Sequence, residues 1–393
     1  MAADPVAANP VTPDAVAGAL ATRERVEAMT TELPRLLATR VVGSYSVPEW
    51  LGRLKTDKDR GRISPTYLDE VHEVVIKAAI KDQETAGIDI VSDGELRRDN
   101  EVDYLLERLP GVEILSSTKS YYYDYDQAVV RTPLPEGSIG RLAELVEDFS
   151  FVRGITDRPV TISMTGPFSL SRRLHNEAYR DESDLVMAVA RALHGAAREL
   201  VEAGAVYLQI DEPFLAGYPE AAGLAVRAIN VVTEGVDAHW AAHVCYGNRY
   251  ARPAWEGHYD FLFPAFLDAH IDQLLLEFAR KGDDDLELFG RYPSDLIVGV
   301  GVIDVKSNEV EPQSVVASRL EHALKVVPPE RVAVNPDCGL RHLSPRVASQ
   351  KLRSMTAAAA QVRAELLGTA LEETDRSPGA TGGSTATQEA APQ

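Results

Sequence analysis

The stretch VYLQIDEP, residues 206–213, has the pattern of a short buried β-strand that ends in two carboxylates and a proline. Seven other segments share this form, being short, mostly apolar and followed by polar residues, glycine or proline. They are RVVGSY (40–45), IDIVSDG (88–94), VTISMTG (160–166), HWAAHVCYG (239–247), QLLLEFA (273–279), IVGVGVID (297–304) and VAVNPDCG (332–339). Eight such segments in one chain predict a repeated β/α architecture.

Stretches of helical period separate these strands. In TYLDEVHEVVIKAAIKDQETAG (66–87) and ESDLVMAVARALHGAARELVEAG (182–204), apolar residues recur at intervals of three and four, and a glycine closes each helix. Eight β/α units within about 330 residues predict an α/β fold of the (β/α)8 or TIM-barrel type. An open doubly wound sheet is the alternative, although no Gly-x-Gly-x-x-Gly motif follows the first strand to indicate a dinucleotide site.

The two ends of the chain differ in composition from the middle. Residues 1–34 are rich in alanine and proline and predict a flexible N-terminal extension. Residues 369–393 contain few apolar side chains and predict a disordered C-terminal tail. Because no interior linker is long enough to separate two domains, we expect a single barrel domain over residues 35–368.

The chain is acidic, with a formal net charge of -20 and a sequence pI near 4.9. An acidic surface repels nucleic-acid phosphates and anionic lipid, so neither nucleic acid nor a membrane is an expected partner. The only two cysteines, Cys245 and Cys338, are too few for a disulfide-stapled secreted scaffold. Because the sequence shows neither a signal-peptide pattern nor an apolar run long enough to span a bilayer, we expect a cytoplasmic protein.

In a barrel, the residues at the C-terminal ends of the strands face one common mouth. His243 and Cys245 lie two positions apart on one predicted strand and so point to the same face, while Glu277 and Cys338 end later strands. Two thiolates, an imidazole and a carboxylate form a plausible zinc-ligand set. The alternative is structural, since a lone buried cysteine is usually a small apolar filler and a strand-end aspartate usually caps a helix.

Eight motifs, in order along residues 38–365, resemble the catalytic domain of cobalamin-independent methionine synthase, a zinc-dependent family that methylates homocysteine. They are VVGSY, VSDGELRRDN, MTGP, LQIDEPFL, HVCYGN, LEF, GVIDVKS and NPDCGL. The resemblance implies a (β/α)8 barrel in which zinc is held by His243, Cys245, Glu277 and Cys338. In that family zinc keeps the substrate thiol as a thiolate, which is the nucleophile.

The resemblance also implies a binding pocket for the amino-acid part of homocysteine. Ser44 and the neighbouring backbone would hold the carboxylate, and Glu95 and Asp211 would hold the ammonium group, as a zwitterion requires. The alternative is that Glu95 only pairs with Arg97 or Arg98 on the surface. Candidates for a catalytic acid are Asp304 and His342.

Three features depart from the family pattern and bear on the methyl donor. The full-length enzymes carry an N-terminal barrel that helps to bind polyglutamylated folate, and this chain has no room for it. Arg172 and Arg173 stand about where the family has a tryptophan that stacks on the pterin. A tyrosine-rich insertion at 116–135, which includes Tyr123, is either a hairpin packed on the barrel or a lid over the mouth. These features predict a corrinoid or a small electrophile, rather than folate, as the donor.

We therefore expect a zinc-dependent methyltransferase that converts homocysteine to methionine, and two alternatives remain open. One is an epoxyalkane:coenzyme M transferase, whose thiol carries a sulfonate and needs cations such as Arg172, Arg173 and His175. Glu95 and Asp211 favour homocysteine over coenzyme M, because they are suited to an ammonium group. The other alternative is a non-enzymatic barrel that holds a structural zinc or binds a thiol, although ligands drawn from several strand ends favour an open working site.

Overall fold

Nine β-strands lie within residues 36–116, 127–135 and 139–376, which are the parts of the chain that the computed structural model describes. They are β1 (Val112–Ser116), β2 (Gln127–Val130), β3 (Thr161–Thr165), β4 (Leu174–Asn176), β5 (Tyr207–Asp211), β6 (His239–His243), β7 (Gln273–Glu277), β8 (Ile297–Ile303) and β9 (Val332–Pro336). The main sheet contains β3, β5, β6, β7, β8 and β9 in that order, and every neighbouring pair is parallel.

Two further short segments complete this sheet into a ring. They coincide with the predicted strands at 40–45 and 88–94. Single parallel bridges join them to each other and to both edges of the sheet: Thr39–Val334, Arg40–Ile90 and Val91–Val160. A backbone hydrogen bond of 2.9 Å from Arg40 N to Val334 O is part of this closure. The predicted (β/α)8 barrel is thus confirmed, and the open doubly wound sheet is not observed.

Ten α-helices lie within the described residues, and the two predicted at 66–87 and 182–204 are among them, with bounds close to the predicted ones. They are α1 (Glu49–Asp59), α2 (Pro65–Ala86), α3 (Glu101–Leu106), α4 (Glu144–Arg153), α5 (Pro167–Ser171), α6 (Glu182–Glu202), α7 (Ala222–Thr233), α8 (Glu287–Arg291), α9 (Gln313–Ala323) and α10 (Pro345–Arg376). Helix α2 begins after Ser64, whose Oγ accepts a hydrogen bond from Tyr67 N, and ends at Gly87, which adopts a left-handed φ of 88°.

One continuous apolar core joins the strands to the helices. Leu193 of α6, Ile210 of β5 and Leu276 of β7 belong to it and are fully buried. Apolar side chains on one stripe of each helix pack against the outer face of the parallel sheet, which is the arrangement that buries both. A core of this extent stabilises the barrel by burial alone.

The interior of the barrel contains a polar layer centred on Arg40. Its guanidinium donates hydrogen bonds to Gln273 Oε1 (2.7 Å), Gln209 Oε1 (2.5 Å) and Thr161 Oγ1 (3.2 Å), so three strands are joined through one side chain. Burial lowers the pKa of Arg40 to about 10, which leaves it charged at neutral pH. Gln209 also donates to Asp211 at the barrel mouth, at 2.7 Å.

A small side sheet contains β1, β2 and β4, in which β1 and β2 are antiparallel and β2 and β4 are parallel. The predicted tyrosine cluster, including Tyr123, lies between β1 and β2 but outside the described residues, so its role as a hairpin or a lid stays a prediction. Helix α10 continues to Arg376, past the expected start of the tail at residue 369. Within the described ranges, no helix combines the length and apolar character needed to cross a membrane.

Candidate metal centre and binding pocket

Three potential metal ligands meet at the mouth of the barrel. His243 is the last residue of β6, Cys245 follows two positions later, and Cys338 comes two residues after β9. One ligand atom from each lies within 4.8 Å of the others, and the two sulfur atoms are 3.6 Å apart. The structure therefore brings together three of the four predicted zinc ligands in a buried cluster that could hold a metal ion.

The orientation of His243 suits a metal ligand. Its Nδ1 lies 3.1 Å from Leu275 O, so Nδ1–H donates to that carbonyl when the ring is neutral. Nε2 is buried and has no hydrogen-bond partner among the described residues. In metal sites a hydrogen bond from one ring nitrogen fixes the tautomer and leaves the lone pair of the other nitrogen for the metal.

Glu277 is the last residue of β7 and is almost fully buried, with 1% of its surface exposed. Its Oε1 accepts hydrogen bonds from Tyr246 N (3.1 Å) and Lys306 Nζ (2.9 Å). Its Oε2 has no hydrogen-bond partner within the described part of the chain. Glu277 lies outside the mutual 4.8 Å distance of the three-residue cluster, but its unpartnered oxygen is the chemical feature expected of a fourth ligand.

The strand ends that bear these ligands are joined by buried side chains. The carboxylate of Asp337 accepts hydrogen bonds of 2.8–2.9 Å from the backbone amides of 278–280, directly after Glu277. The hydroxyl of Tyr259 donates to Val244 O and accepts from Glu277 N, both at 3.0 Å. These bonds hold the ends of β6, β7 and β9 in a fixed relation to one another.

The electrostatics of the two thiols favour a bound cation. The hydrogen bond with Cys245, followed by burial, raises the pKa of Cys338 well above its ordinary value. Two buried thiols this close to each other do not ionise together in the absence of a positive charge. A divalent cation between them reverses this preference, because a coordinating thiol is deprotonated.

A cavity of about 310 Å³ opens beside the cluster and also contains the predicted substrate residues. Its walls include Ser44, Glu95, Asp211, His243, Cys245, Cys338, Arg173 and His342. Three of the four predicted metal ligands and the predicted amino-acid pocket therefore share one cavity at the C-terminal ends of the strands, where (β/α)8 barrels place their chemistry.

Glu95 lies in the cavity wall, and not in a surface ion pair. It is 4% exposed, and its Oε1 accepts a hydrogen bond of 2.6 Å from Ser163 Oγ. The same oxygen accepts a hydrogen bond of 3.4 Å from Arg98 Nη1, so Glu95 is in an ion pair with Arg98, but a buried one, whereas Arg97 pairs with Asp148. Glu95 has a left-handed φ of 54°, a backbone strain that is found preferentially at functional sites.

Asp211 is the second predicted carboxylate of the pocket. It is 7% exposed, and burial is the main cause that raises its pKa to about 7. Its Oδ1 accepts the hydrogen bond from Gln209, which links it to the polar layer around Arg40. The carboxylate is therefore held in one orientation, and its ionisation depends on a nearby positive charge.

The remaining predicted residues differ in their positions. Burial lowers the pKa of His342 to about 4, so this cavity residue is a neutral imidazole at pH 7 and is poorly suited to be a general acid. Asp304 is not among the described residues that line the cavity, and its Oδ1 accepts from Lys306 N in a turn. Arg173 lines the cavity, whereas Arg172 bonds to Glu182 and its guanidinium lies 4.2 Å from the ring centroid of Tyr218.

Several residues of the cavity were not predicted from the sequence: Glu101, Asn248, Phe214, Trp255 and Arg341. Glu101 follows the polar run that begins after the second strand, and this position near a strand end is the signal that could have identified it. Trp255 lies in a long irregular segment after β6 and has no periodic pattern around it, so no comparable signal exists.

The family model for the catalytic domain of the cobalamin-independent synthases matches residues 37–361. The chain belongs to this family. It is 35% identical over 341 residues to a methionine synthase of Saccharolobus solfataricus, covering 86% of this chain and 97% of the relative. It is 32% identical over 349 residues to a methionine synthase of Sulfurisphaera tokodaii, covering 88% of this chain and 98% of the relative.

A solved structure agrees with this assignment. The B12-independent methionine synthase of a Shewanella species, determined in complex with selenomethionine, matches with a TM-score of 0.73 at 28% identity, covering 85% of this chain and 99% of that one. The predicted membership of the cobalamin-independent synthase family is confirmed, and so is the barrel fold that it implies.

Proposed function

We propose that this protein is a zinc-dependent methyltransferase that transfers a methyl group to the thiol of homocysteine and so forms methionine. The observation that carries this proposal is the shared cavity, in which a buried N,S,S cluster and three carboxylates lie at one barrel mouth. The methionine synthases of the two archaeal relatives support the same reaction.

The side chains of the cluster fit zinc in donor type and number. His243 would bind through Nε2 and Glu277 through Oε2, which are both buried and have no hydrogen-bond partner among the described residues, and Cys245 and Cys338 would bind through sulfur. Zinc, when bound, lowers the pKa of a coordinated thiol so that the sulfur is nucleophilic at neutral pH. The bound metal would activate the thiol, and these four side chains would hold the metal in place.

The chain's other residues would bind and orient the amino-acid part of the substrate. Glu95 and Asp211, with Glu101 beside them in the cavity, are suited to an α-ammonium group, and Ser44 is suited to the α-carboxylate. Binding both groups leaves the side chain of homocysteine directed toward the cluster. The reaction joins its sulfur to the methyl carbon as the bond between methyl and donor breaks.

Coenzyme M is less well matched to this cavity. Its sulfonate would find cations in the cavity wall, since Arg173, Arg249 and Arg341 line it, but coenzyme M has no ammonium group to pair with the carboxylates there. Arg172 is already bonded to Glu182, and His175 is largely exposed. Because carboxylates and guanidinium groups line the same cavity, a zwitterionic thiol, which carries both an ammonium and a carboxylate group, is the better partner.

The donor is proposed to be a small electrophile, or a corrinoid of which only the methyl group enters the cavity, and not folate. A cavity of about 310 Å³ is near the lower limit of small-molecule sites, roughly 300–1,000 Å³. Within the described residues, the turn after Gly166 offers no aromatic face, since Phe168 is buried against Tyr218. Trp255 and Phe214 do line the cavity, but their rings meet edge to face at 81°.

The zinc assignment predicts the effect of removing single ligands. We expect the purified protein to contain about one zinc per chain, and Cys245→Ser, Cys338→Ser and Glu277→Gln to lower this content. Glu212→Gln is the matched control, because Glu212 is an equally buried strand-end carboxylate that bonds instead to the backbone of Phe168 and Ser169. Metal analysis of all four variants is the measurement. Full zinc content in both cysteine variants would contradict the assignment.

Asp211 predicts a pH dependence of amino-acid binding. Its pKa of about 7 means that it is mostly neutral below this pH and mostly ionised above it. We therefore expect methionine, which has no thiol to titrate, to bind more tightly as the pH rises from about 6 to about 8. Asp211→Asn should weaken binding roughly 10- to 100-fold and abolish the pH dependence.

Calorimetry of methionine binding at several pH values makes this measurement. Asp148→Asn is the control, since Asp148 is also a buried acid with a raised pKa, about 6, but does not line the cavity. It should leave the pH dependence unchanged. A methionine affinity that is the same at every pH would show that Asp211 does not bind the ammonium group.

The donor proposal predicts a rank order of methyl sources. With homocysteine as acceptor, we expect faster turnover with methylcobalamin, a methyl-corrinoid protein or a small electrophile than with methyl-tetrahydrofolate. The reason is that the turn after Gly166 offers a pterin no aromatic face within the described residues, and an aromatic stack contributes roughly 0.5–1.5 kcal/mol. The rates are compared at equal donor concentration. A faster rate with the mono- or triglutamyl folate than with every corrinoid would refute the prediction.

A further inference from the structure

A buried lysine contacts the proposed metal ligand Glu277. The side chain of Lys306 is 4% exposed, and its Nζ lies 2.9 Å from Glu277 Oε1. Lysine is rarely buried unless it has an anionic partner, and here the partner is a carboxylate whose other oxygen has no hydrogen-bond partner within the described part of the chain. Lys306 thus acts on the metal centre through Glu277.

The loop that carries Lys306 is rigidly anchored. Asp304 Oδ1 accepts a hydrogen bond from Lys306 N, and Asp304 N donates to Glu311 Oε1, both at 2.8 Å. The fully buried Lys351 then bonds to Asp304 O (3.0 Å) and Glu311 Oε2 (2.7 Å). The strand-end motif that contains Asp304 therefore builds a turn that presents Lys306 to the cavity side of β7.

The charges of the proposed metal centre indicate a role for the ammonium group of Lys306. This step rests on the proposed function. Cys245, Cys338 and Glu277 together carry three negative charges as ligands, which a divalent cation does not fully neutralise. A substrate thiolate adds a further negative charge in a buried site, where uncompensated charge is costly. A nearby cation is needed to offset it.

A second cation near Glu277 is already committed elsewhere. Arg280 Nε lies 3.9 Å from Glu277 Oε2, but its two terminal nitrogens bond to the Glu256 carboxylate at 3.1 Å and 3.0 Å. Its charge is thus neutralised by an exposed partner. Among the ion pairs of the described residues, Lys306 has one with Glu277 and none with a second carboxylate.

We propose that Lys306 is a positioning residue that supplies the fixed positive charge required for an anionic thiolate to join the metal ligands. It orients Glu277 by holding one carboxylate oxygen, and it offsets the charge that the thiolate brings. A neutral sulfur ligand does not need this compensation. Homocysteine and methionine share the α-amino-acid group, but only homocysteine can bring an anionic sulfur. A comparison of their affinities therefore distinguishes an effect on the sulfur's charge from an effect on the amino-acid pocket.

The test compares the affinities of zinc-loaded wild type, Lys306→Met and Lys306→Arg for homocysteine and for methionine by calorimetry, with zinc content measured in parallel. We expect Lys306→Met to weaken homocysteine binding roughly 10- to 100-fold and to leave methionine binding unchanged. Lys306→Arg, which keeps the charge, should restore most of the homocysteine affinity. If Lys306→Met does not fold, Lys306→Gln is used in its place.

Lys281→Met is the matched control. Lys281 is a buried lysine at the same mouth, but it pairs with Asp285 and lies over the ring of Tyr246 at 3.7 Å. It should not change the ratio of the two affinities. An equal loss of affinity for both amino acids in Lys306→Met, or no loss of affinity for either, would overturn the proposal.

Failure of the proposed function can be distinguished from failure of this inference. A zinc-loaded wild-type protein that binds neither amino acid contradicts the function. In that case azide as the anionic ligand and imidazole as the neutral ligand test Lys306 independently. Weaker azide binding with unchanged imidazole binding in Lys306→Met supports the role of Lys306, and equal effects on both ligands overturn it.

Discussion

The hydrogen-bond register between parallel barrel strands is the constraint on which the site depends. In this register Asp211 stands opposite His243, and His243 stands opposite Leu275, two residues before Glu277. Because side chains alternate between the two faces of a strand, a slip of one residue would turn a functional side chain away from the mouth. The ring closure at Arg40 and its bonds to three strands resist such a slip. The same register that packs the core therefore aligns the proposed ammonium site with the proposed metal ligands.

Buried polar side chains then convert aligned strand ends into a rigid frame. Asp337 holds the backbone after Glu277, Tyr259 joins β6 to β7, and Glu212 accepts hydrogen bonds from the turn that follows β3. Each bond contributes only about 1 kcal/mol net, but a buried group left without its partner costs about 1–3 kcal/mol. Other arrangements of these strand ends would leave such groups without partners and are therefore less stable. Glu277 is held at its backbone by Tyr259 and at its carboxylate by Lys306, so the ligand is oriented before a metal or a substrate binds.

The eight barrel strands and the three-residue metal cluster could be predicted because both follow from simple periodicities, whereas the short strands of the side sheet were not predicted. The two-residue spacing of His243 and Cys245 determines a common face, and the strand-end rule adds Cys338 from a distant part of the chain. No comparable rule predicts the direction in which a side chain points from an irregular turn. Asp304 is a strand-end carboxylate that builds a turn, whereas Lys306, two residues later, contacts the centre. Likewise only one of two adjacent arginines, Arg173, lines the cavity, whereas Arg172, directly after the last residue of α5, bonds to Glu182.

The central claim is that two cysteines, a histidine and a glutamate form a metal site that accepts the substrate's sulfur. X-ray absorption at the zinc edge, measured with and without homocysteine, counts the sulfur ligands directly. The account predicts two sulfur ligands from Cys245 and Cys338 at about 2.3 Å with nitrogen and oxygen ligands completing the shell, and a third sulfur when homocysteine is added. A sulfur count that does not change on adding homocysteine, or a shell without sulfur, would contradict it.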